Sequence, residues 1–455
     1  MIPRDKHPIS RKDISPEALK VLYRLHNNGF DAYLVGGCVR DLLLGIQPKD
    51  FDVVTNAKPE QVQKLFRNCR LVGRRFRLAH VVFGREFIEV ATFRGHHQLD
   101  DDDSQDTKRA KTSDAGMLLR DNVYGTIEED AARRDFTVNA LYYSIADFAI
   151  YDYANGAKDL ERGVLRMIGD CAERYREDPV RMLRAVRFAT KLNMRLDPAV
   201  SGPIKELASL LASIPPARLF DESLKLFAAG KGLANFDMLS EFGLFQQLFP
   251  LLKVYLKAPS EPPAQMIRQT FADTDARIKA DLRITPAYLF AALLWWPMQA
   301  RQEQLLSEGG LAPADAMNLA AADVFGKQVQ TIAIPKRFSI PAREIWQLQS
   351  RLARYQGKRA LTLVGHPRFR AAYDFLQLRA STAASDKPTL DKLVAYWTKV
   401  QQDPNAAAPS SHRGRDPDAD NEQVAPAGDK PKRARRRGGR GGRKRHSSSR
   451  KPDSA

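Results

Sequence analysis

The sequence predicts an α/β head, a mixed sheet with helices, followed by an all-helical remainder and a disordered basic C-terminal tail. Three observations carry this. Up to about residue 153, short apolar runs bounded by glycine alternate with helical patterns. Beyond Asp152 the periodicity is helical, interrupted by Pro and Gly, as far as about Val400. From Gln402 onward Pro, Ala, Ser, Asp and Gly dominate, and Arg433 to Arg443 is too low in complexity to bury a core. The expected divisions are a head over 16–153, a neck over 154–240, a body over 241–400 and a tail over 405–455.

Residues 1–15 are polar and expected to be loose. Pro16 to Asn28 reads as a helix, with Ser15 as N-cap, Pro16 in the first turn and Gly29 as the stop. Ala32 to Val35 is a short strand running into Gly36-Gly37, and Val39 to Leu44 is the following helix, ended by Gly45. Phe51 to Val54 continues a strand that carries Asp50 and Asp52, and Pro59 to Asn68 is helical. His80 to Phe83 and Phe87 to Phe93 form a hairpin around Gly84-Arg85-Glu86. Alternation along its second arm places Glu89 on a strand beside Asp50 and Asp52. Residues 95–122, with the acidic run Asp100 to Asp103, are a surface loop. Glu128 to Arg134 is helical and Phe136 to Ile145 strand-like. Arg174 to Leu192, Ile204 to Ala212, Leu219 to Ala229 and Ala234 to Phe242 are helices, with no convincing strand among them.

At 455 residues with 43% apolar content, the chain can bury a sizeable core in two or three domains. The net charge of +18 is uneven: Lys430 to Lys451 holds twelve Lys/Arg and no acid, so the rest carries only +6. A polyanionic partner follows. Nucleic acid fits better than a membrane, because no amphipathic helix accompanies the charge. Cys38, Cys69 and Cys171 are far apart and form no zinc motif, as expected of a reducing, cytoplasmic setting. Met1 to Lys6 lacks the apolar stretch of a signal peptide. The apolar run Leu289 to Met298 is about half a membrane span and contains a proline, so a soluble protein is expected.

The chemistry concentrates in four blocks. In Val35-Gly36-Gly37-Cys38-Val39-Arg40-Asp41, the glycines let backbone approach a phosphate, and Arg40 can add charge to a triphosphate. The alternative is an ordinary turn with Arg40 paired to Asp41; neither a dinucleotide fingerprint nor a P-loop is present. In Lys49-Asp50-Phe51-Asp52, residues i and i+2 of a strand share a face, so both carboxylates can aim at one point while Phe51 faces the core. Such a pair beside a glycine turn suits divalent-metal phosphoryl or nucleotidyl transfer, with Mg²⁺ in a two-metal site. A third carboxylate is open between Glu89 and Asp135. Arg133-Arg134-Asp135-Phe136-Thr137-Val138-Asn139 places arginines for triphosphate oxygens, or else forms a salt-bridged cap. In Glu177-Asp178-Pro179-Val180-Arg181, Asp178 is an N-cap. Asp178 and Arg181 together offer an acceptor and planar donors to a base edge, with Arg184 on the next turn; an interior ion-pair network is the alternative.

These blocks, in this order, resemble the class II nucleotidyltransferases, which comprise tRNA CCA-adding enzymes and bacterial poly(A) polymerases. The resemblance spans about residues 18 to 250. Val72 to Val81 resembles the stretch that separates the polymerases from their CCA-adding relatives, and no HD dipeptide occurs. The resemblance implies that Asp50 and Asp52 bind metal and that Gly37 and Arg40, with Gly36, meet the triphosphate. It implies that Asp135 lies in the block supplying a further catalytic acid. Arg134, Arg181 and Arg184 match nucleotide-contacting arginines, and Asp178 with Arg181 the base-reading pair. The implied activity is template-independent addition of AMP from ATP to RNA 3′ ends; a monomer is expected, with RNA-decay proteins as expected further partners. A CCA-adding enzyme and a catalytically silent RNA-binding module are the alternatives. The tail, through Arg435, Arg436, Arg437, Arg440, Arg443, Lys444 and Arg445, is expected to bind RNA electrostatically.

Overall fold

The computed structural model describes residues 1–73, 77–95, 110–112, 118–121, 123–354, 358–383 and 386–403. Helix α1 (Pro16–Asn27) begins where Ser15 Oγ accepts from Ala18 N at 3.1 Å, and Pro16 sits in its first turn. It buries Ala18, Val21, Leu22 and Leu25, a helical stripe, against the sheet. Strand β1 (Ala32–Val35) leads through Gly36 into α2 (Gly37–Leu43). Then come β2 (Asp52–Thr55), α3 (Pro59–Leu65), β3 (Cys69–Val72), β4 (Leu78–Phe83) and β5 (Glu86–Thr92). A short hairpin, β6 (Ala110–Thr112) and β7 (Leu118–Asp121), lies in the polar stretch 95–122. The rest of that stretch, Asp100 to Asp103 included, is outside the described residues. After α4 (Ile127–Arg133) the chain returns to the sheet as β8 (Leu141–Ser144) and β9 (Ile150–Asp152).

The seven-stranded sheet runs β3-β4-β5-β2-β1-β8-β9. It is mixed: β2 and β5 are parallel, and the other neighbours antiparallel. One face packs Leu34, Val53, Val81, Ile88 and Val90 against Val21, Leu22 and Val62 of α1 and α3. The other face packs Val35, Val54, Phe93 and Tyr142 against Ala131 of α4. Asp52, one residue before Val53, falls on the α4 face.

Beyond α5 (Gly156–Arg162) come α6 (Cys171–Glu177) and α7 (Val180–Leu192), then helices continuing to Lys387–Gln402. One core runs from Phe136 through Met182, Phe245 and Phe271 to Phe375; a second surrounds Trp397.

Several expectations are corrected. Residues 1–15 are packed rather than loose: Ile9 and Ile14 are buried, and Ile2 bridges Ile150. Isolated isoleucines in polar surroundings leave no periodic signal. Phe136 to Ile145 is not one strand, because a 3₁₀ turn over Thr137–Asn139 precedes β8. The helix expected over Arg174 to Leu192 breaks at Asp178-Pro179, since proline disfavours helical backbone in the residue before it. A two-residue parallel pair, Val164–Leu165 with Arg195–Leu196, is too short to show alternation. Asp50 lies outside β2, which starts at Asp52.

Candidate active site

Gly36 has φ +75° and ψ −125°, a backbone conformation that L side chains avoid. A Cβ there would lie 3.4 Å from Arg134 Nη1 and 3.5 Å from the Asn139 carbonyl, so the turn is hemmed in by the Arg134–Asn139 segment. Arg40 does not project into open solvent. It is 2% exposed; Nε and Nη2 donate to Asp41 Oδ1 at 2.8 and 2.6 Å, and Nη1 donates to Asn139 Oδ1 at 2.6 Å. Its guanidinium lies 5.3 Å from the Phe188 ring centroid on α7. In this structure Arg40 braces the turn from within, as the pairing alternative anticipates, and carries its positive charge beneath it.

Asp50 and Asp52 are exposed while Phe51 and Val53 between and beyond them are buried. The alternation read from the sequence therefore holds across the start of β2. Asp52 pairs in parallel register with Glu89, as the hairpin reading anticipates. Although surface area leaves Asp52 exposed, crowding by protein atoms still desolvates its carboxyl. That desolvation first, then the charge of Glu89, pushes it up to about 6; Arg134 works in the opposite direction and Asp50 in the same one. A carboxylate raised by its own neighbours is a site where a cation relieves repulsion. The donors are all carboxylate oxygens, the set a hard divalent cation such as Mg²⁺ prefers. Among the described residues no three metal-ligating side chains gather at one point. Mg²⁺ commonly takes one or two carboxylates and fills its remaining positions with water and substrate phosphate. The residues present fit the ion.

Asp135, the other candidate for third carboxylate, is engaged elsewhere. Arg184 Nε donates to its Oδ2 at 2.7 Å, while Asn139 Nδ2 and Phe136 N donate to Oδ1 at 3.1 and 2.8 Å. Burial alone would raise this carboxyl; the Arg184 charge and these hydrogen bonds outweigh it and hold it down to about 2. Asp135 joins the segment after α4 to α7, and Glu89 is the carboxylate beside Asp52.

Arg134 lies between these groups. Its Nε and Nη2 donate to Asp130 Oδ2 at 3.0 and 2.9 Å, and Nε also donates to Tyr142 Oη at 2.9 Å. Tyr142 Oη donates onward to Asp130 at 2.8 Å. Asp130 is 5% and Tyr142 0% exposed, so this is an interior network that aims a cation at the Gly36 turn. The sequence reading missed Asp130 and Tyr142. Asp130 four residues before Arg134 on a helix was the available signal.

At the α6–α7 junction, Asp178 is extended and Pro179 already helical, so Asp178 occupies the capping position; its Oδ1 accepts from Val180 N at 3.3 Å. Its two oxygens accept from Arg218 Nη1 and Nη2 at 2.8 and 2.7 Å. Arg181 Nη1 donates to Glu177 Oε2 at 2.7 Å and to the Arg174 carbonyl at 2.8 Å. Arg174 Nη2 donates to the Arg133 and Arg134 carbonyls, both at 2.6 Å, tying α6 to the end of α4. Arg218 and Glu177 are further residues the sequence reading did not single out; Arg218 lies forty residues from its partner. Of the stretch from Val72 to Val81, Arg74 to Phe76 lie outside the described residues, as do the tail arginines and lysines from Arg435 to Arg445.

Three family models match the chain: the poly A polymerase head domain over residues 32–166, the probable RNA- and SrmB-binding site of polymerase A over 193–256, and the polymerase A arginine-rich C-terminus over 309–440. The chain is 55% identical to poly(A) polymerase I of Salmonella typhimurium over 415 residues, covering 91% of this chain and 87% of that one. Against the CCA-adding enzyme of Lactobacillus helveticus it is 37% identical over 226 residues, covering 50% of this chain and 52% of that one. The solved Thermotoga maritima CCA-adding enzyme in complex with tRNA shares the fold, with a TM-score of 0.55 and 18% identity over 86% of this chain and 83% of that one. By its sequence match across nine-tenths of its length, the chain belongs to the poly(A) polymerase I family of nucleotidyltransferases.

Proposed function

We propose that the chain extends RNA 3′ ends without a template, transferring AMP from ATP and releasing pyrophosphate. The observation that carries this reading is Asp52 in register with Glu89, with Asp50 two residues before it, one strand away from the Gly36-Gly37 turn. Asp50 and Asp52 would hold the divalent cation. A bound Mg²⁺ supplies a lowered pKa for the attacking 3′-hydroxyl and neutralises charge on the triphosphate. The polypeptide orients the triphosphate over the Gly36 turn, where Arg134 presents positive charge fixed by Asp130 and Tyr142. Asp178 and Arg181, at the start of α7, read the adenine edge; Arg218 and Glu177 hold them in place. The body and basic tail supply sequence-independent contacts to RNA phosphates.

The CCA-adding relative aligns with only half of this chain, whereas the polymerase relative aligns with nine-tenths of it. The deciding experiment incubates purified protein with a short RNA, Mg²⁺ and each nucleoside triphosphate separately, then sizes the products. Long ladders with ATP alone are expected. Efficient addition from CTP, or no pyrophosphate release with ATP, would overturn the assignment.

A further inference from the structure

The sheet carries a row of side chains that the proposed chemistry uses only at one end. Asp52 pairs with Glu89, Glu89 with His80, and His80 with Arg70, across four neighbouring strands. Directly paired residues share a sheet face. Phe87, two residues before Glu89, shares it too. His80 and Phe87 stack with centroids 4.3 Å apart and planes 14° from parallel, and His80 Nε2 lies 3.4 Å from Glu89 Oε2. Phe87 is 53% exposed. The row therefore offers a flat, open aromatic pair about two strand spacings, roughly 10 Å, from Asp52, with Arg70 exposed beyond it.

We infer that His80 and Phe87 form the stacking platform for the 3′-terminal base of the RNA, holding its hydroxyl toward Asp50 and Asp52. The inference rests on the proposed function and names the seat of one of its substrates. Position in the sheet selects this occupant over the incoming nucleotide. In the order β4-β5-β2-β1-β8, the Gly36 turn and Arg134–Tyr142 network lie on the β1–β8 side of Asp52, and the platform lies on the β5–β4 side. In-line displacement requires the attacking hydroxyl and the leaving pyrophosphate on opposite sides of the reacting phosphorus. A triphosphate on the first side leaves the second for the RNA end. Stacking is indifferent to base identity, as repeated addition to unrelated 3′ ends requires, and Arg70 adds charge for the preceding phosphates.

The test compares full-length protein binding to an RNA with an ordinary 3′-terminal nucleotide and to the same RNA with an abasic one. Fluorescence anisotropy without ATP reads affinity, at salt high enough to suppress general phosphate contacts. Wild type should lose roughly tenfold in affinity for the abasic RNA. Phe87→Ala should lose a similar factor for the ordinary RNA and no longer distinguish the two, while Phe87→Trp and His80→Phe restore the distinction. In turnover, the KM for RNA should rise in Phe87→Ala and the KM for ATP should not. Equal discrimination by wild type and Phe87→Ala overturns the inference, as does a rise in ATP KM with RNA KM unchanged. Failure of the polymerase reading looks different: wild type would extend neither RNA with ATP, while the binding comparison would still report on the platform.

Discussion

At the scale of single residues, the site divides acids by environment. Asp52, crowded by protein and by Glu89, is pushed up to about 6; Asp135, clasped by Arg184, is held down to about 2. The proposed cation would sit at the first, and the second is already paired with the Arg184 guanidinium. Asp50→Ala or Asp52→Ala should therefore cut AMP addition on the order of a thousandfold or more while leaving the circular dichroism spectrum unchanged. Near-normal activity in either variant would remove the metal assignment. Asp135 predicts a stability effect instead. Its folded pKa lies below its ordinary 3.8, so its contribution is complete above that value and is lost as pH falls toward about 2. Replacing it with Asn should destabilise the protein by roughly 2–3 kcal/mol at pH 7, with about half of that difference remaining near pH 3. Urea unfolding of Asp135→Asn and wild type from pH 7 to pH 3 measures this. A gap that stays constant would show that the Arg184 pairing does not set the stability.

At the scale of elements, what the sequence revealed and what it concealed have physical reasons. Period-two alternation placed Glu89 on a strand beside that of Asp52, and the parallel register that makes them direct neighbours came from the fold. Pairings between distant segments left no such trace: Arg40 with Asn139, Asp135 with Arg184, and Asp178 with Arg218 each join elements whose approach only the fold decides. These same pairings fasten α7 and the helix over Pro216–Phe227 to the glycine turn and the α4 end. Base reading should depend on that fastening. Arg181→Ala and Asp178→Ala should lower the ratio of kcat/KM for ATP over CTP, because planar donors and a fixed acceptor recognise a base edge. Arg218→Ala should shift the ratio in the same direction, since it frees the Asp178 carboxylate from a bidentate hold. An unchanged ratio in all three would place adenine selection elsewhere.

At the scale of the whole molecule, the charge distribution separates affinity from chemistry. Twelve of the eighteen net positive charges fall between Lys430 and Lys451, outside the described residues, and the rest of the chain carries only +6. Among the described residues no helix is long and apolar enough to cross a membrane. Lysines and arginines interspersed with glycine and serine contact phosphates without reading bases, and each contact releases counterions. Deleting residues 405–455 should therefore raise the apparent Kd for RNA and flatten its dependence on log salt. The slope should fall by about 0.7 for each phosphate contact removed from a single strand. Saturating RNA should largely restore kcat, because Asp50, Asp52, Arg134 and the α6–α7 junction all lie in the remaining chain. Titrations of full-length and truncated protein at several salt concentrations, beside kcat at saturating RNA, make the comparison. Identical slopes would reduce the tail to an aid to solubility. A kcat that stays low at saturating RNA would mean instead that the tail acts on the catalytic step.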